Sequence, residues 1–561
     1  MIKNPILTGF NPDPCICRKG EDYYIAVSSF EWMPGIPVYH SKNLKKWRLI
    51  THILTDEQNT YLGRLPTGQG IWAPCITYCE ADELFYVVYG SVVPNGTNID
   101  NYLITAKNIM GPWSEPVYLQ SSGFDASLFH DDDGRKWLVS LEWERREGYQ
   151  KPGAICMAEY SVKEKKLIGY PKRIWDGGTT RGWIEGPHLY KHEGRYYLLC
   201  AEGGTGYHHC ASMGRADTIW GPYEPDPKNP IITSILTDGS EGRTKAAEDY
   251  KFYNPDVTLQ KSGHASIVET PDGSCYAVHL CSRPLLPMLR CPMGRETAIQ
   301  AMAWTEDGWI RKKNGCALPD DECEEYRVPE GCCGNFSDAD SEESGESCIG
   351  HEYPDNRCIE CDDFDDDRLG LAYYAPRHMP ETFADVTARS GYVRLRGQEV
   401  LDSYDKVSVL ARKLTSVHMT VTVKMEFTPE VHQHTAGIVL YYDNLNYLYL
   451  RKYYSETLGQ SALSVVCAEK GKVKELTDTR TPVSEEPLEL KIYIEGLTTK
   501  LAWAYAGEKE ERMIGESFDT SHFSDEYCGQ FTGTVVGMAC TDGVYRRHYA
   551  DFDYFKMETL V

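Results

Sequence analysis

No apolar run in this chain of 561 residues approaches the roughly 18 residues of a membrane-spanning helix, so nothing in it reads as a span. Net positive charge is also missing. The formal balance is −25 and no stripe of Lys and Arg occurs, which argues against nucleic acid, whose phosphates must be neutralised by basic side chains. The N-terminal MIKNPILTGF is too short in its apolar part, and too soon broken by proline, to read as a secretion leader. The cytoplasm is the expected location. Helical periodicity is scarce throughout. Aromatic residues, by contrast, make up 12%, with 38 tyrosines and 12 tryptophans. They suit β-structure and supply flat faces for stacking on sugar rings.

The length leaves room for about two to four domains. Twenty cysteines could suggest a disulfide framework, but that pattern belongs to short secreted chains. Cys200 in YYLLCAE and Cys281 in YAVHLCSR sit singly in strand-like runs and read as buried, reduced thiols.

A turn followed by an aromatic strand recurs through the first half: GEDYYIAVSS from Gly20, ADELFYVVYG from Ala81, DDGRKWLVSL from Asp132, HEGRYYLLCAE from His192 and PDGSCYAVHL from Pro271. Beside it SKNLKKWRLI, AKNIMGPWSEP and RADTIWGPYEP repeat a second element. Spacings of about 50 to 80 residues imply repeated supersecondary units, and repeated small sheets around an axis make a propeller. Residues 1–310 are therefore expected to form a five-bladed β-propeller. Residues 311–361 are acidic, poor in apolar residues and dense in cysteine, and read as an irregular connector. Alternating strands such as MTVTVKMEF, LELKIYIEG and ADFDYFKME then predict a β-sandwich, jelly-roll-like or concanavalin-like, over residues 362–561. The chain is all-β on this reading.

Three acids stand out against a propeller. Asp13, between two prolines in NPDP, Asp125 in FDASLFHDDDG and Glu185 in WIEGPHLYK each precede an apolar segment beside small residues. Taken singly, each also reads as a turn or strand-edge acid. At equivalent places in different blades they would face one channel, and two carboxylates flanking one site are the equipment of glycosidic-bond hydrolysis.

GFNPDP, MPGIPVYHSKNLKKW, GIWAP, FDASLFHDDDG, EGPHLYK, SGHASIVETPDG and GRETAIQ resemble the β-xylosidases of glycoside hydrolase family 43, and FTGTVVGM with ADFDYF resembles their C-terminal sandwich. The resemblance covers most of the chain, except chiefly the connector. It implies an exo-acting, inverting β-1,4-xylosidase that trims xylooligosaccharides from the non-reducing end, with Asp13 as general base, Glu185 as general acid and Asp125 orienting the acid and modulating its pKa. It further implies that Arg295 hydrogen-bonds the sugar, that Phe30 and Trp72 wall the pocket, and that Phe531 of the sandwich closes its rim. Trp143 would stand on the leaving-group side. His264 would contact a central water or calcium ion, and the competing reading is a core histidine. No cofactor is required; a calcium ion in the channel would be structural. Relatives of this kind often assemble as tetramers.

In the connector, Cys358 and Cys361 have a zinc-ligand spacing, with Cys316, Cys323, Cys332, Cys333, Cys348 and His351 nearby. The other intervals are irregular, so reduced thiols and disulfides stay open beside the zinc reading. An α-L-arabinofuranosidase, or an enzyme with both activities, is the first rival function. Invertase-like fructosidases are disfavoured by missing N-D-P-N-G and R-D-P signatures, and a non-catalytic sugar-binding protein by the presence of all three acids.

Overall fold

The computed structural model describes residues 1–55, 62–92, 99–149, 153–236, 250–326, 351–352 and 357–560. Cys332, Cys333 and Cys348 lie outside them, as does the side chain of His351. No described helix is long and apolar enough to cross a membrane.

Each aromatic repeat is the second strand of an antiparallel sheet. Asp22–Ala26, Leu84–Val92, Lys136–Leu141, Arg195–Glu202 and Cys275–Ser282 pair through short turns with Cys15–Lys19, Ile71–Cys79, Ser127–His130, Glu185–His192 and Gln260–Glu269. Four of these sheets have four strands and the fourth in chain order has five. Their first strands touch in a closed circuit, the fifth returning to the first. This is a propeller-type arrangement.

Alternation along each strand sends apolar residues to both faces, and they fill the gaps between neighbouring sheets. Ala26 and Val38 of the first sheet pack with Ile76, Phe85 and Val87 of the second. Val278 and Ile299 of the fifth pack with Ile16, Tyr23 and Ile25 of the first, which completes the ring. Full burial of such side chains stabilises by roughly 1.5–3 kcal/mol each, so the circuit closes through its apolar layers. Cys200 and Cys281, read as buried thiols, are indeed fully buried.

The second domain is a sandwich of a nine-stranded and a six-stranded sheet. Val421, Val423, Leu490 and Ile492 from one face Ile438, Leu440, Leu448 and Leu450 from the other across a single core. Two features alter the reading of the connector. Glu322–Cys323 pairs with Ile2–Lys3 on the first domain, and Arg357–Asp362 pairs with Tyr549–Leu560 inside the larger sandwich sheet. Both ends of that stretch are therefore built into the domains they adjoin. Cys358 and Cys361 stand three residues apart on that strand, so their side chains leave opposite faces and cannot grip one ion between them. The zinc reading of this pair is corrected accordingly.

The domains join through Phe10, Phe30 and Trp32 of the propeller and Tyr374, Val439 and Tyr441 of the sandwich. Ala375–Pro376 adds a short strand to Trp32–Met33.

Candidate active site

Asp13 and Asp125 each stand two residues before the first strand of their sheet, and Glu185 is the first residue of its own. Asp13 and Asp125 adopt left-handed backbone, φ 54° and 53°. Aspartate tolerates that region better than most residues, and such local strain gathers where a side chain must be aimed. Both are buried, while Glu185 is half-buried.

The three carboxylates share one neighbourhood but have unlike partners. Asp13 accepts a hydrogen bond from Ser28 Oγ at 2.7 Å and one from Arg295 Nη1 at 3.2 Å, and His264 Nδ1 lies 3.9 Å away. Burial works to raise its pKa, but Arg295, His264 and Ser28 together hold it below the ordinary 3.8. Burial drives His264 itself down to about 4, so near neutral pH it carries no charge and Arg295 supplies the stabilising cation. Glu185 has no such hydrogen-bonded partner among the described residues. Burial first, and the charge of Asp13 second, push it up to about 8 against the pull of Arg295. Asp125 is likewise pushed well up by burial and by Glu185 and Asp13, against the N–H that Gly186 donates to it at 3.1 Å. One ionised carboxylate therefore faces a pair that holds on to a proton.

Gly186 explains the small residue after Glu185. Its φ is 55°, and a Cβ there would stand 3.1 Å from the His264 ring. Gly186 lets Asp125 reach the backbone at Glu185 while His264 packs alongside.

The apolar walls come from both domains. Phe30 lies 6.0 Å from Trp72 and 6.4 Å from Phe531, centroid to centroid, and the Arg295 guanidinium sits over both Phe30 and Phe531 at 5.3 and 4.9 Å. Phe531 reaches the pocket because Gly68 lets its backbone approach; a Cβ on Gly68 would lie 2.8 Å from the Phe531 nitrogen. The loop bearing Phe531 follows the short helix Asp525–Cys528, whose Glu526 accepts a hydrogen bond from the buried Lys261 of the propeller at 2.5 Å. Trp143 is 41% exposed and packs 5.1 Å from Phe124. With Trp72, Gln69 and Arg145 it lines an open cleft of about 320 Å³. None of the three carboxylates lines this cleft, although Phe124, which does, immediately precedes Asp125 in the chain.

Sequence reasoning missed several contributors. Ser28 both orients Asp13 and accepts the Ala73 N–H at 2.7 Å. Glu31, pushed up to about 7 by burial against the pull of Arg377, accepts the Gly68 N–H at 3.1 Å and so fixes the loop under Phe531. His209 is buried, with Nδ1 3.0 Å from the Lys261 carbonyl. His209 Nε2 and Arg295 Nη2 have no hydrogen-bond partner among the described residues. Two orphaned buried polar atoms beside Asp13 are the mark of a site built for a polar ligand. An acid inside an apolar run (SSFEW) and adjacent histidines (YHHC) were the available signals, and neither carries a distinctive spacing.

Calcium needs several oxygen ligands. His264 offers a nitrogen, Asp13 is engaged by Ser28 and Arg295, and among the described residues His264 belongs to no group of three side chains at ligand spacing. The protein groups do not make a calcium cage, and no chemistry here is routed through that ion.

Residues 2–310 match the model of "Glycosyl hydrolases family 43", and residues 361–558 that of the "Beta xylosidase C-terminal Concanavalin A-like domain". A beta-xylosidase of Bacillus subtilis is 39% identical over 99% of both chains, and a xylosidase/arabinosidase of Humicola insolens is 37% identical over 99% of this chain and 97% of its own. The crystal structure of a xylan beta-1,4-xylosidase from Bacillus halodurans superposes with a TM-score of 0.88 at 42% identity, covering 99% of this chain and all of the other.

Proposed function

The chain belongs to glycosyl hydrolase family 43, and from that premise we propose that it is an exo-acting β-1,4-xylosidase releasing xylose from the non-reducing ends of xylooligosaccharides with inversion. The observation that carries this reading is the split among the pocket's carboxyls. Asp13 is held ionised by Arg295, and Glu185 is held protonated near neutral pH. Asp13 draws a proton from water as that water attacks the anomeric carbon from one face. Glu185 gives its proton to the leaving oxygen on the other, and the two share the work in one displacement. Asp125, tied to the Gly186 N–H, orients Glu185 and keeps the proton count of the pair. Arg295 Nη2 and His209 Nε2 take sugar hydroxyls.

We read the closed circuit as five blades, with the buried pocket at one end of its axis. Phe30, Trp72 and Phe531 accept a terminal sugar, and the cleft of Trp143 accepts the remainder. A pocket rimmed by a second domain admits a chain end and refuses a chain middle, which supports exo-action. An α-L-arabinofuranosidase activity in the same pocket is the second reading, supported by the likeness to a xylosidase/arabinosidase.

Release of 4-nitrophenol from its β-D-xylopyranoside and α-L-arabinofuranoside, side by side, decides between them. Proton NMR of early xylobiose hydrolysis should show α-xylose as the first product from the cleaved end. β-Xylose first would contradict inversion.

The pH dependence follows from the same split. Activity needs Asp13 ionised and Glu185 protonated, so it is lost as pH falls through the depressed value of Asp13 and as pH rises through about 8. A kcat/KM profile that keeps climbing well beyond that alkaline limb would remove Glu185 as the acid. Truncating the rim residue Phe531 to alanine should raise KM about three- to tenfold and leave kcat nearly unchanged, because it removes an aromatic wall and no proton-transfer group. Steady-state kinetics on xylobiose test this.

A further inference from the structure

The innermost strands carry a second constellation directly beyond the carboxylates. Asp13, Ala73, Asp125, Gly186 and His264 all have left-handed backbone, with φ of 54°, 36°, 53°, 55° and 40°. Two residues further along stand Cys15, Cys75, Ser127, His188 and Ser266, one from each sheet. Because the five strands touch in a circuit, these residues form the next level along the axis.

Three of them converge. The Sγ atoms of Cys15 and Cys75 and a ring nitrogen of His188 all lie within 4.8 Å of one another, though they come from three different sheets. Both cysteines are 3% exposed. Ser127, on the strand between those of Cys75 and His188, is also 3% exposed, and its hydroxyl has no partner among the described residues.

We propose that Cys15, Cys75 and His188 form a binding site for a soft divalent cation, zinc, with a water or the Ser127 hydroxyl completing four ligands. Zn–S bonds of about 2.3 Å and Zn–N bonds of about 2.0–2.1 Å set tetrahedral ligand atoms roughly 3.4–3.8 Å apart, so the cluster closes with a contraction of about 1.4 Å at most. Two thiols release their protons on binding. Two thiolates and a neutral imidazole then leave the ion with no net charge, which suits a buried place without a carboxylate among its ligands. Sulfur and nitrogen donors exclude calcium and magnesium in favour of zinc. The ion would clip together three innermost strands immediately beneath the catalytic pocket.

The test uses the full-length, tag-free, reduced chain after treatment with a chelator, titrated with Co²⁺ and separately with Zn²⁺. The expected result is a thiolate-to-cobalt charge-transfer band with tetrahedral visible bands, saturating at one ion per chain and erased by zinc. The melting temperature should rise by about 2 °C at a hundredfold excess of zinc over its Kd. Cys75→Ser should abolish the charge-transfer band's saturation at one ion, and Cys358→Ser should leave it intact. His188→Gln, which keeps both thiols, should weaken binding at least tenfold and guards against misfolding of the cysteine variant. Absence of a thiolate band at saturating Co²⁺ would overturn the proposal. So would a band that survives Cys75→Ser and disappears in Cys358→Ser, since that places the metal at the connector.

Discussion

Replacing Glu185 by glutamine should lower kcat on xylobiose about 10³- to 10⁴-fold, the scale of a lost proton transfer. The same variant should lose far less on 4-nitrophenyl β-D-xylopyranoside. Its leaving group is far more acidic than a sugar hydroxyl and departs with little protonation. Asp13→Asn should behave differently. It removes the group that activates water, a step common to both substrates, so both rates should fall together by a similar factor. The alkaline limb of the pH profile should vanish in Glu185→Gln and persist in any residual activity of Asp13→Asn. Parallel losses on both substrates in the Glu185 variant would refute its role as the acid. Native-like circular dichroism of each variant separates chemistry from misfolding.

The second large effect is expected at Arg295. Its side chain is 4% exposed and supplies the charge that keeps Asp13 ionised. Arg295→Met should reduce kcat/KM near neutral pH by about 10²- to 10³-fold, through lost sugar contacts and a partly protonated base. The acid limb of the pH profile should move up by more than a pH unit. Stability should change in step. Removing one partner of a buried pair costs about 3–5 kcal/mol when the other stays charged. Without Arg295 burial should carry the folded-state pKa of Asp13 above its unfolded value, so the variant's own penalty sets in above the ordinary 3.8 and grows as pH rises toward the new folded value, while the gap to the wild type closes fully only below the depressed wild-type value. In the wild type the sign is opposite. The depressed pKa contributes stability above the unfolded value that is lost as pH falls through the folded one. Thermal melts of both proteins between acid and neutral pH would show converging curves at low pH. A constant gap would mean that Arg295 acts through packing alone. Arg295→Lys keeps the charge but not the planar fork, so it should retain the acid limb and raise KM.

Local patterns along the chain carry much of the fold and of the site. The turn-plus-aromatic-strand repeats mark the second strand of every propeller sheet, because a half-buried hairpin imposes local alternation whatever its surroundings. The NPDP, FDAS and EGP segments point to the three acids, since a left-handed residue leading into a strand restricts the sequence near it. Ser28, Glu31 and His209 are not legible in this way. Each is an ordinary residue in an apolar run, and its meaning lies in what it faces. The zinc spacing of Cys358 and Cys361 misleads, because a C-x-x-C pair on a strand points both ways.

The sequence by itself therefore determined the all-β class, the repeat and the two-domain plan, and it singled out the three acids, all of which rest on short-range periodicity and local backbone preference. Tertiary structure decided how unlike the surroundings of Asp13 and Glu185 are. That contrast follows from an arginine 282 residues beyond Asp13 that hydrogen-bonds Asp13, and from burial and the charge of Asp13, which raise Glu185 against the pull of the same arginine. A pKa is set by distances through space, and no local pattern encodes them.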